Sequence, residues 1–246
     1  MPALLRPAPS GPAERLVSRV AGWPPAAVFG LALVAGFVAY AVLLALVGSL
    51  VTDVALNVGW VRRADEGLID ALVERRAPAL TDVSTVLSGI GGGPVLASLA
   101  GLIVVVAATR RNWLIAAFVA CLLPIETALY RLTLNLVPRT RPGVARLEDL
   151  PMGGSFPSGH TAASIAVYAG LMLLLASATR HRRVAVAAWT VAITLPVLVA
   201  ASRMYRGMHH PLDVAGGSLV GLSTLAIVVF ACRAAQAAAR ERPRLG

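Results

Sequence analysis

The sequence predicts an all-α protein: a polytopic membrane helix bundle of about six transmembrane helices, with an outer amphipathic helical segment between the first two spans. Hydrophobic residues make up 57% of the 246 residues, and charged residues only 14%. That charged share is about half of what a soluble domain carries. The apolar residues fall into long runs, and a spanning helix needs about 20 such residues. The bilayer is therefore the expected surroundings of this chain.

The elements follow from the positions of these runs. Residues 1–25, rich in Pro and Ala, are expected to be a disordered tail, followed by one membrane domain over 26–232 and a basic tail over 233–246. Residues 52–89 combine charges with apolar residues at helical spacing, which indicates one or two amphipathic helices on the membrane surface. The six spans are expected at about 26–51, 95–108, 113–137, 160–179, 184–202 and 213–232.

The basic residues predict the orientation of the bundle. The net charge is +10, and every basic residue other than His is Arg, since the chain contains no Lys. Arginines cluster in both tails and in alternate loops, at Arg110–Arg111 and Arg180–Arg183, and such clusters mark the cytoplasmic side. Both termini are therefore expected in the cytoplasm, with the loops 52–89, 138–157 and 203–212 outside. Short arginine clusters between apolar runs fit a membrane protein, and they argue against nucleic acid as a partner.

Three segments carry residues suited to phosphate chemistry, and each lies at the outer end of a predicted span. They are Pro138-Arg139-Thr140-Arg141-Pro142, Ser155-Phe156-Pro157-Ser158-Gly159-His160, and Ser202 to Asp213. Arg141 and Arg203 supply permanently charged forks that match phosphate oxygens. Ser158 and the Gly159 N–H can donate further hydrogen bonds. The free N–H groups at the start of the span near His160 attract an anion.

The two histidines of these segments can divide the chemistry of a phosphoryl transfer. His209 and Asp213 are four residues apart, so the carboxylate can bond one ring nitrogen and leave the other free as a nucleophile. His160 can act as the general acid to the leaving group. Arginines and helix ends can supply the positive charge for the transition state, so the site needs no metal and no cofactor.

Together the three segments resemble the signature of the type 2 phosphatidic acid phosphatase superfamily, which shares its active site with vanadium haloperoxidases. The family pattern is K-x6-R-P, P-S-G-H and S-R-x5-H-x3-D, and the second and third parts match here in full and in order. The resemblance implies that His209 is the nucleophile, Asp213 its partner and His160 the acid. It also implies that the phosphate is held by Arg141, Ser158, Gly159 and Arg203.

The first segment departs from the family pattern. The lysine would fall at Leu134, and Arg131 and Arg139 are the two candidates to replace it. Arg131 lies one helical turn earlier on the same face, from which a long side chain can reach outward. Glu126, in the same span, is interpreted either as a buried partner of Arg131 or as a functional group. Arg206 is interpreted as a headgroup or loop contact.

The favoured function is hydrolysis of a lipid phosphate or diphosphate at the outer face, through a phosphohistidine intermediate. Isoprenoid diphosphates such as undecaprenyl diphosphate and glycerolipid phosphates such as phosphatidate or phosphatidylglycerol phosphate are both open, because the motifs contact phosphate and not the lipid tail. A lipid phosphotransferase is one alternative, and a non-catalytic protein that binds or transports an anionic lipid is another. The second alternative does not require the spacing of His209 and Asp213.

Overall fold

The computed structural model describes residues 2–149 and 153–241, and it contains helices and no strands in these ranges, which confirms the predicted all-α class. Nine helices follow a short 3₁₀ turn at Ala3–Leu5. They are α1 Pro12–Arg19, α2 Pro25–Asn57, α3 Gly59–Glu74, α4 Pro78–Ile90, α5 Gly93–Thr109, α6 Trp113–Leu136, α7 Gly159–Ala178, α8 Arg182–Tyr205 and α9 Pro211–Glu241.

The predicted number of spans is confirmed. Within the described residues, α2, α6, α7, α8 and α9 are long and apolar enough to cross a membrane. The pair α4 and α5 bends by 44° at a short break, and counting this pair as one span gives six. Gly91 and Gly92 occupy this break, and glycine favours such an interruption because it lacks a side chain. Counted in this way, span 2 begins at Pro78, within the polar segment 52–89 and earlier than the apolar run alone suggests.

Prolines start several of the helices. Pro12, Pro25, Pro78 and Pro211 each occupy the first position of a helix. Proline is suited to this position because its ring fixes a helical φ and its missing N–H would have no partner inside the helix. The chain can therefore turn sharply into each new helix, which keeps the connecting loops short.

Helix α9 lies at the centre of the bundle, in contact with α1, α2, α6 and α7. Three glycines on α9 allow the N-terminal end of α7 to approach very closely. A Cβ added at Gly217 would lie 2.3 Å from the carbonyl oxygen of Ser158, and one at Gly221 would lie 2.7 Å from that of Ala162. A Cβ at Gly216 would lie 2.4 Å from the ring of Phe156. Any side chain at these positions would push the two helices apart.

The two tails differ from the sequence-based expectation. Residues expected to be disordered form helix α1, and its Ala13 and Val17 pack against Ala234 and Ala238 of α9. This helix has one strongly apolar face, and burial of that face offsets the low helical preference of a Pro-rich segment. At the other end α9 continues to Glu241, so most of the expected basic tail is helical. The rest of that tail, residues 242–246, lies outside the described residues.

Candidate active site

The three motif segments meet at one end of the bundle, around a pocket of about 260 Å³. Helix α6 runs into this end of the bundle and α7 runs away from it. The loop between α8 and α9 completes the wall. Six of the predicted site residues line this pocket: Arg131, Arg141, Gly159, His160, Arg203 and His209. The other lining residues come from the break after α4 and from α5, α6 and α7: Gly91, Gly93, Leu123, Glu126, Thr127, Tyr130 and Ala163.

His209 is buried, and its Nδ1 donates a hydrogen bond to the carbonyl oxygen of Ser155 at 2.9 Å. A carbonyl oxygen can only accept, so Nδ1 carries the proton and Nε2 is the nitrogen with a free electron pair. The predicted direct bond from Asp213 is not formed, because the nearest carboxylate oxygen lies 3.8 Å from Nδ1. Burial lowers the pKa of His209 below its ordinary value, and the nearby Asp213 carboxylate opposes this effect only in part.

Asp213 is fully buried and is held by four donors. Arg139 bonds Oδ1, the Ser155 hydroxyl bonds Oδ2, and the backbone N–H of His210 donates to Oδ2 at 2.7 Å. The Nδ1 atom of His210 lies 3.3 Å from the same oxygen. Since Ser155 contacts both Asp213 and His209, the carboxylate positions the imidazole ring through Ser155 rather than by direct contact.

Arg139 is a link between two buried carboxylates. Its guanidinium bonds Asp213 at one end and Asp65 of α3 at the other, and its side chain is 7% exposed. Asp65 also accepts the N–H of Leu212 at 2.9 Å, which fixes α3 against the start of α9. Arg131, by contrast, is exposed and lines the pocket. Of the two candidates to replace the family lysine, Arg131 has the position that allows contact with a phosphate.

Arg203 is 0% exposed and uses only part of its guanidinium to bind the protein. Its Nη1 donates to Ser88 and to Glu148, the latter at 2.7 Å. Its Nε and Nη2 are buried and have no hydrogen-bond partner among the described residues. These two atoms form one edge of the guanidinium, the edge that bonds carboxylates and phosphates in a bidentate manner. Leaving such donors buried and unpaired is costly.

Arg141 also combines a hydrogen bond to the protein with a buried donor that has no protein partner. Its Nη1 donates to the carbonyl oxygen of Met208 at 2.8 Å, which ties the first motif to the loop that carries His209. Its Nε is buried without a partner in the described part of the chain. Two permanently charged arginines thus present unpaired donors in one pocket with two histidines. The arrangement is suited to an anion with several oxygen atoms.

Glu148 joins two arginines on the outer side of the pocket. Its carboxylate accepts bonds from Arg203 at 2.7 Å and from Arg206 at 2.6 Å, and one from Ser88 at 2.8 Å. Partial burial alone would raise the pKa of this carboxyl, but the hydrogen bonds and charges of these donors lower it to about 2. Glu148 is therefore ionised near neutral pH, and it holds the loop between α6 and α7 over the site.

The start of α7 lies against α6 and α9. The N–H of Ser158 donates to the carbonyl oxygen of Asp213 at 2.9 Å, and its hydroxyl is bonded with Thr161 at 2.9 Å. Ser158 is fully buried, so its hydroxyl faces its own helix. At Gly159 an added Cβ would lie 3.1 Å from the ring of Tyr130, so the absence of a side chain lets the backbone lie close to α6 without displacing that ring. The Gly159 N–H and His160 are thereby brought to the pocket.

Sequence patterns did not assign roles to several residues that build this site. Ser155 lies inside the second motif, and its position before Pro-Ser-Gly-His was the only local signal available. Asp65, Ser88 and Glu148 lie 147, 115 and 55 residues from the atoms they bind in α8 and α9. Arg206, interpreted as a loop contact, bonds Glu148 and the Leu147 carbonyl oxygen, as that interpretation requires.

Comparison with protein families gives a match to the PAP2 superfamily over residues 135–236, a range that contains all three motif segments but not Arg131. Among curated proteins, phosphatidylglycerophosphatase B of Bacillus subtilis is 29% identical over 181 residues, which are 70% of this chain and 85% of that protein. Undecaprenyl-diphosphatase of Sulfolobus acidocaldarius is 39% identical over 75 residues, which cover 30% of this chain and 32% of that protein.

The fold is also similar to a solved structure. The crystal structure of a transmembrane PAP2 type phosphatidylglycerolphosphate phosphatase from Bacillus subtilis superimposes with a TM-score of 0.65 at 27% identity. The match covers 80% of this chain and 93% of the other. The helical architecture is thus similar along almost the whole length of that protein.

Proposed function

Because the chain belongs to the PAP2 superfamily and is a membrane lipid phosphatase, we propose that it hydrolyses a lipid phosphate through a phosphohistidine formed on His209. The observation that carries this proposal is the unpaired edge of Arg203. A fully buried guanidinium with two free donors, beside His160 and His209, supports binding of a phosphoryl group between the histidines. A bidentate contact there orients the phosphorus for attack.

The first half of the reaction transfers the phosphoryl group to the protein. The free electron pair of His209 Nε2 attacks phosphorus, and the bond from phosphorus to the leaving oxygen breaks. His160 gives a proton to that oxygen, so the lipid leaves as an alcohol, or as a lipid phosphate when the substrate is a diphosphate. Arg141 and Arg203 stabilise the negative charge on the three remaining phosphoryl oxygens.

The second half returns the protein to its starting state. His160, now neutral, takes a proton from a water molecule, whose oxygen attacks phosphorus. The phosphorus–nitrogen bond breaks, inorganic phosphate leaves, and Nε2 of His209 regains its electron pair. Throughout, the Ser155 carbonyl oxygen and Asp213 stabilise the positive charge that develops on the imidazole ring of His209.

The substrate is proposed to be a glycerolipid phosphate or an isoprenoid diphosphate, and the names of the two curated relatives support one of these each. If an alcohol replaced water in the second half, the chain would be a lipid phosphotransferase. Product analysis with an acceptor alcohol present separates the two reactions, because a transferase forms a new phosphate ester while a hydrolase releases inorganic phosphate.

The decisive experiment is phosphate release from purified protein in detergent, combined with acid quenching to trap an acid-labile phosphoprotein. We expect His209→Ala to abolish both signals. His181→Ala is the matched control, because His181 is exposed between α7 and α8, away from the pocket, and this variant should keep full activity. Wild-type activity in His209→Ala would refute the mechanism. Binding of lipid phosphate without turnover in the wild type would support the non-catalytic alternative.

The site is proposed to face the outside of the cell, with both termini in the cytoplasm. The arginine clusters between α5 and α6 and between α7 and α8 support this orientation, since they lie at the opposite ends of the helices from the pocket. A single cysteine introduced at Gly143, in the loop before α7, should react with an impermeant thiol reagent in intact cells. Labelling only after permeabilisation would reverse the proposed topology.

A further inference from the structure

Glu126, in the middle of helix α6, carries a buried carboxyl group that has no role in the proposed mechanism. It is 3% exposed. One oxygen, Oε2, accepts the hydroxyl of Thr127 at 3.1 Å. The other, Oε1, is buried and has no hydrogen-bond partner within residues 2–149 and 153–241. The pairing with Arg131 considered from the sequence is not formed there. An unpaired carboxyl at membrane depth is costly, and such groups usually have a function.

Glu126 lies in the pocket where the leaving group of the proposed reaction would be bound. Glu126 lines the same pocket as His160 and lies one turn deeper along α6 than Tyr130, which contacts the start of α7. Ala163, one turn further along α7 than His160, lines this pocket too. In the proposed mechanism the leaving oxygen of the bound phosphoryl group lies at His160. The atoms that follow that oxygen then share the pocket with Glu126 and Thr127, which gives Oε1 a candidate partner.

We infer that Glu126 determines specificity by accepting a hydrogen bond from a hydroxyl group on the leaving group, close to the bond that breaks. This inference rests on the proposed function. The preferred substrate is then a lipid whose terminal phosphate is esterified to a hydroxylated unit such as glycerol. A diphosphate places a second phosphate group at this point, and its ionised oxygens can only accept hydrogen bonds, so they cannot donate one to Oε1. Phosphatidate and isoprenoid phosphates carry no hydroxyl there and leave Oε1 unpaired.

The size of the effect follows from the cost of an unpaired group. Sites built to bond a substrate hydroxyl reject analogues without it strongly, because the buried polar group of the protein loses its partner. We therefore expect the hydroxylated substrate to be preferred by about 10- to 100-fold in kcat/KM.

The test compares two substrates that differ by a single hydroxyl: phosphatidylglycerol phosphate and its analogue with propane-1,3-diol in place of the terminal glycerol. The wild type should prefer the first by about 10- to 100-fold. Glu126→Ala should remove most of this preference by lowering kcat/KM for the first substrate alone. Glu126→Gln retains an acceptor oxygen and should restore most of the preference. A purely structural role would lower both activities together and leave their ratio unchanged.

Two results overturn the inference while leaving the proposed function intact. One is a wild type that hydrolyses both substrates with equal kcat/KM. The other is a Glu126→Gln variant that loses both activities in proportion. The wild-type comparison needs no variant, so it decides the matter even if Glu126→Ala fails to fold. Failure of the wild type to release phosphate from any lipid would instead refute the proposed function, and the inference with it.

Discussion

Replacement of Arg203 by Ala tests whether its unpaired edge binds the substrate. The substitution removes Nε and Nη2, the two buried donors without protein partners, together with Nη1. Glu148 then keeps its bond to Arg206 at 2.6 Å, so one of the two bridges that hold the loop over the site survives. The main loss should therefore fall on the bound phosphoryl group.

The magnitude follows from the number of lost contacts. Each hydrogen bond to a charged partner contributes about 1.5–3 kcal/mol. Two such bonds correspond to about 3–6 kcal/mol, which is a decrease of about 10²- to 10⁴-fold in kcat/KM. Arg203→Lys keeps the charge but offers a single donor point in place of a planar edge. It should fall between the wild type and Arg203→Ala.

Arg206 provides a matched control, because it is also buried and also binds Glu148. All three of its nitrogen atoms have protein partners: Glu148, the hydroxyls of Ser84 and Thr85, and the carbonyl oxygen of Leu147. Arg206→Ala should therefore lower the thermal unfolding midpoint while changing kcat/KM less than tenfold. Both variants are to be assayed by phosphate release in detergent. Equal losses of kcat/KM in the two variants, or a loss below threefold in Arg203→Ala, would refute the assignment.

Four further results are expected. His160→Ala should lower hydrolysis of lipid phosphates by about 10²-fold or more, and that of p-nitrophenyl phosphate much less, because an activated phenolate leaves without a proton; equal losses would contradict its role as the acid. Arg139→Ala removes the positive partner shared by two buried carboxylates and should destabilise the protein by about 3–5 kcal/mol, whereas Arg131→Ala should keep the wild-type unfolding midpoint and raise KM; the reverse outcome would exchange their roles. Its donors lower the pKa of Glu148 to about 2 in the folded protein against an ordinary 4.5, so its ionisation stabilises the fold above pH 4.5, and this contribution is lost as the pH falls toward 2. Glu148→Gln should then show a flatter pH dependence of denaturant unfolding in that window, and an unchanged slope would argue against the pairing. Finally, activity should survive EDTA and be inhibited by vanadate, since the arginines supply the positive charge; recovery of activity only on addition of Mg²⁺ would contradict this.

The positions of the main functional groups could be predicted from the sequence because each motif adjoins a helix end. His160 opens α7, and His209 precedes Pro211, which starts α9. Alternation of six spans places such helix ends on one side of the bundle, and the structure brings Arg141 and Arg203 into the same pocket. The motif spacing and the alternation of the spans were together sufficient to predict that these residues meet at one end of the bundle.

The detailed contacts of these groups could not be predicted, because they depend on distances of one or two ångström between distant segments. A spacing of four residues on a helix predicts that Asp213 can reach His209, but His209 precedes the helix and turns toward the Ser155 carbonyl oxygen. Asp65 and Arg139 are 74 residues apart, and nothing in either sequence window indicates that they pair. Composition likewise gave no signal for α1, whose stability comes from its contact with α9.

The close contact between α7 and α9 has a consequence for how this protein tolerates sequence change. At Gly217 and Gly221 the two helices touch through backbone atoms, so the separation of the segments that carry His160 and His209 does not depend on the size of any side chain there. The outward faces of α2, α5 and α8 carry many exposed apolar side chains, among them Val38, Leu102 and Trp189. One apolar residue can replace another on these faces without moving the two histidines proposed to be catalytic. Random mutagenesis should therefore recover active variants with extensive changes on the lipid-facing surface and almost none at the two glycines.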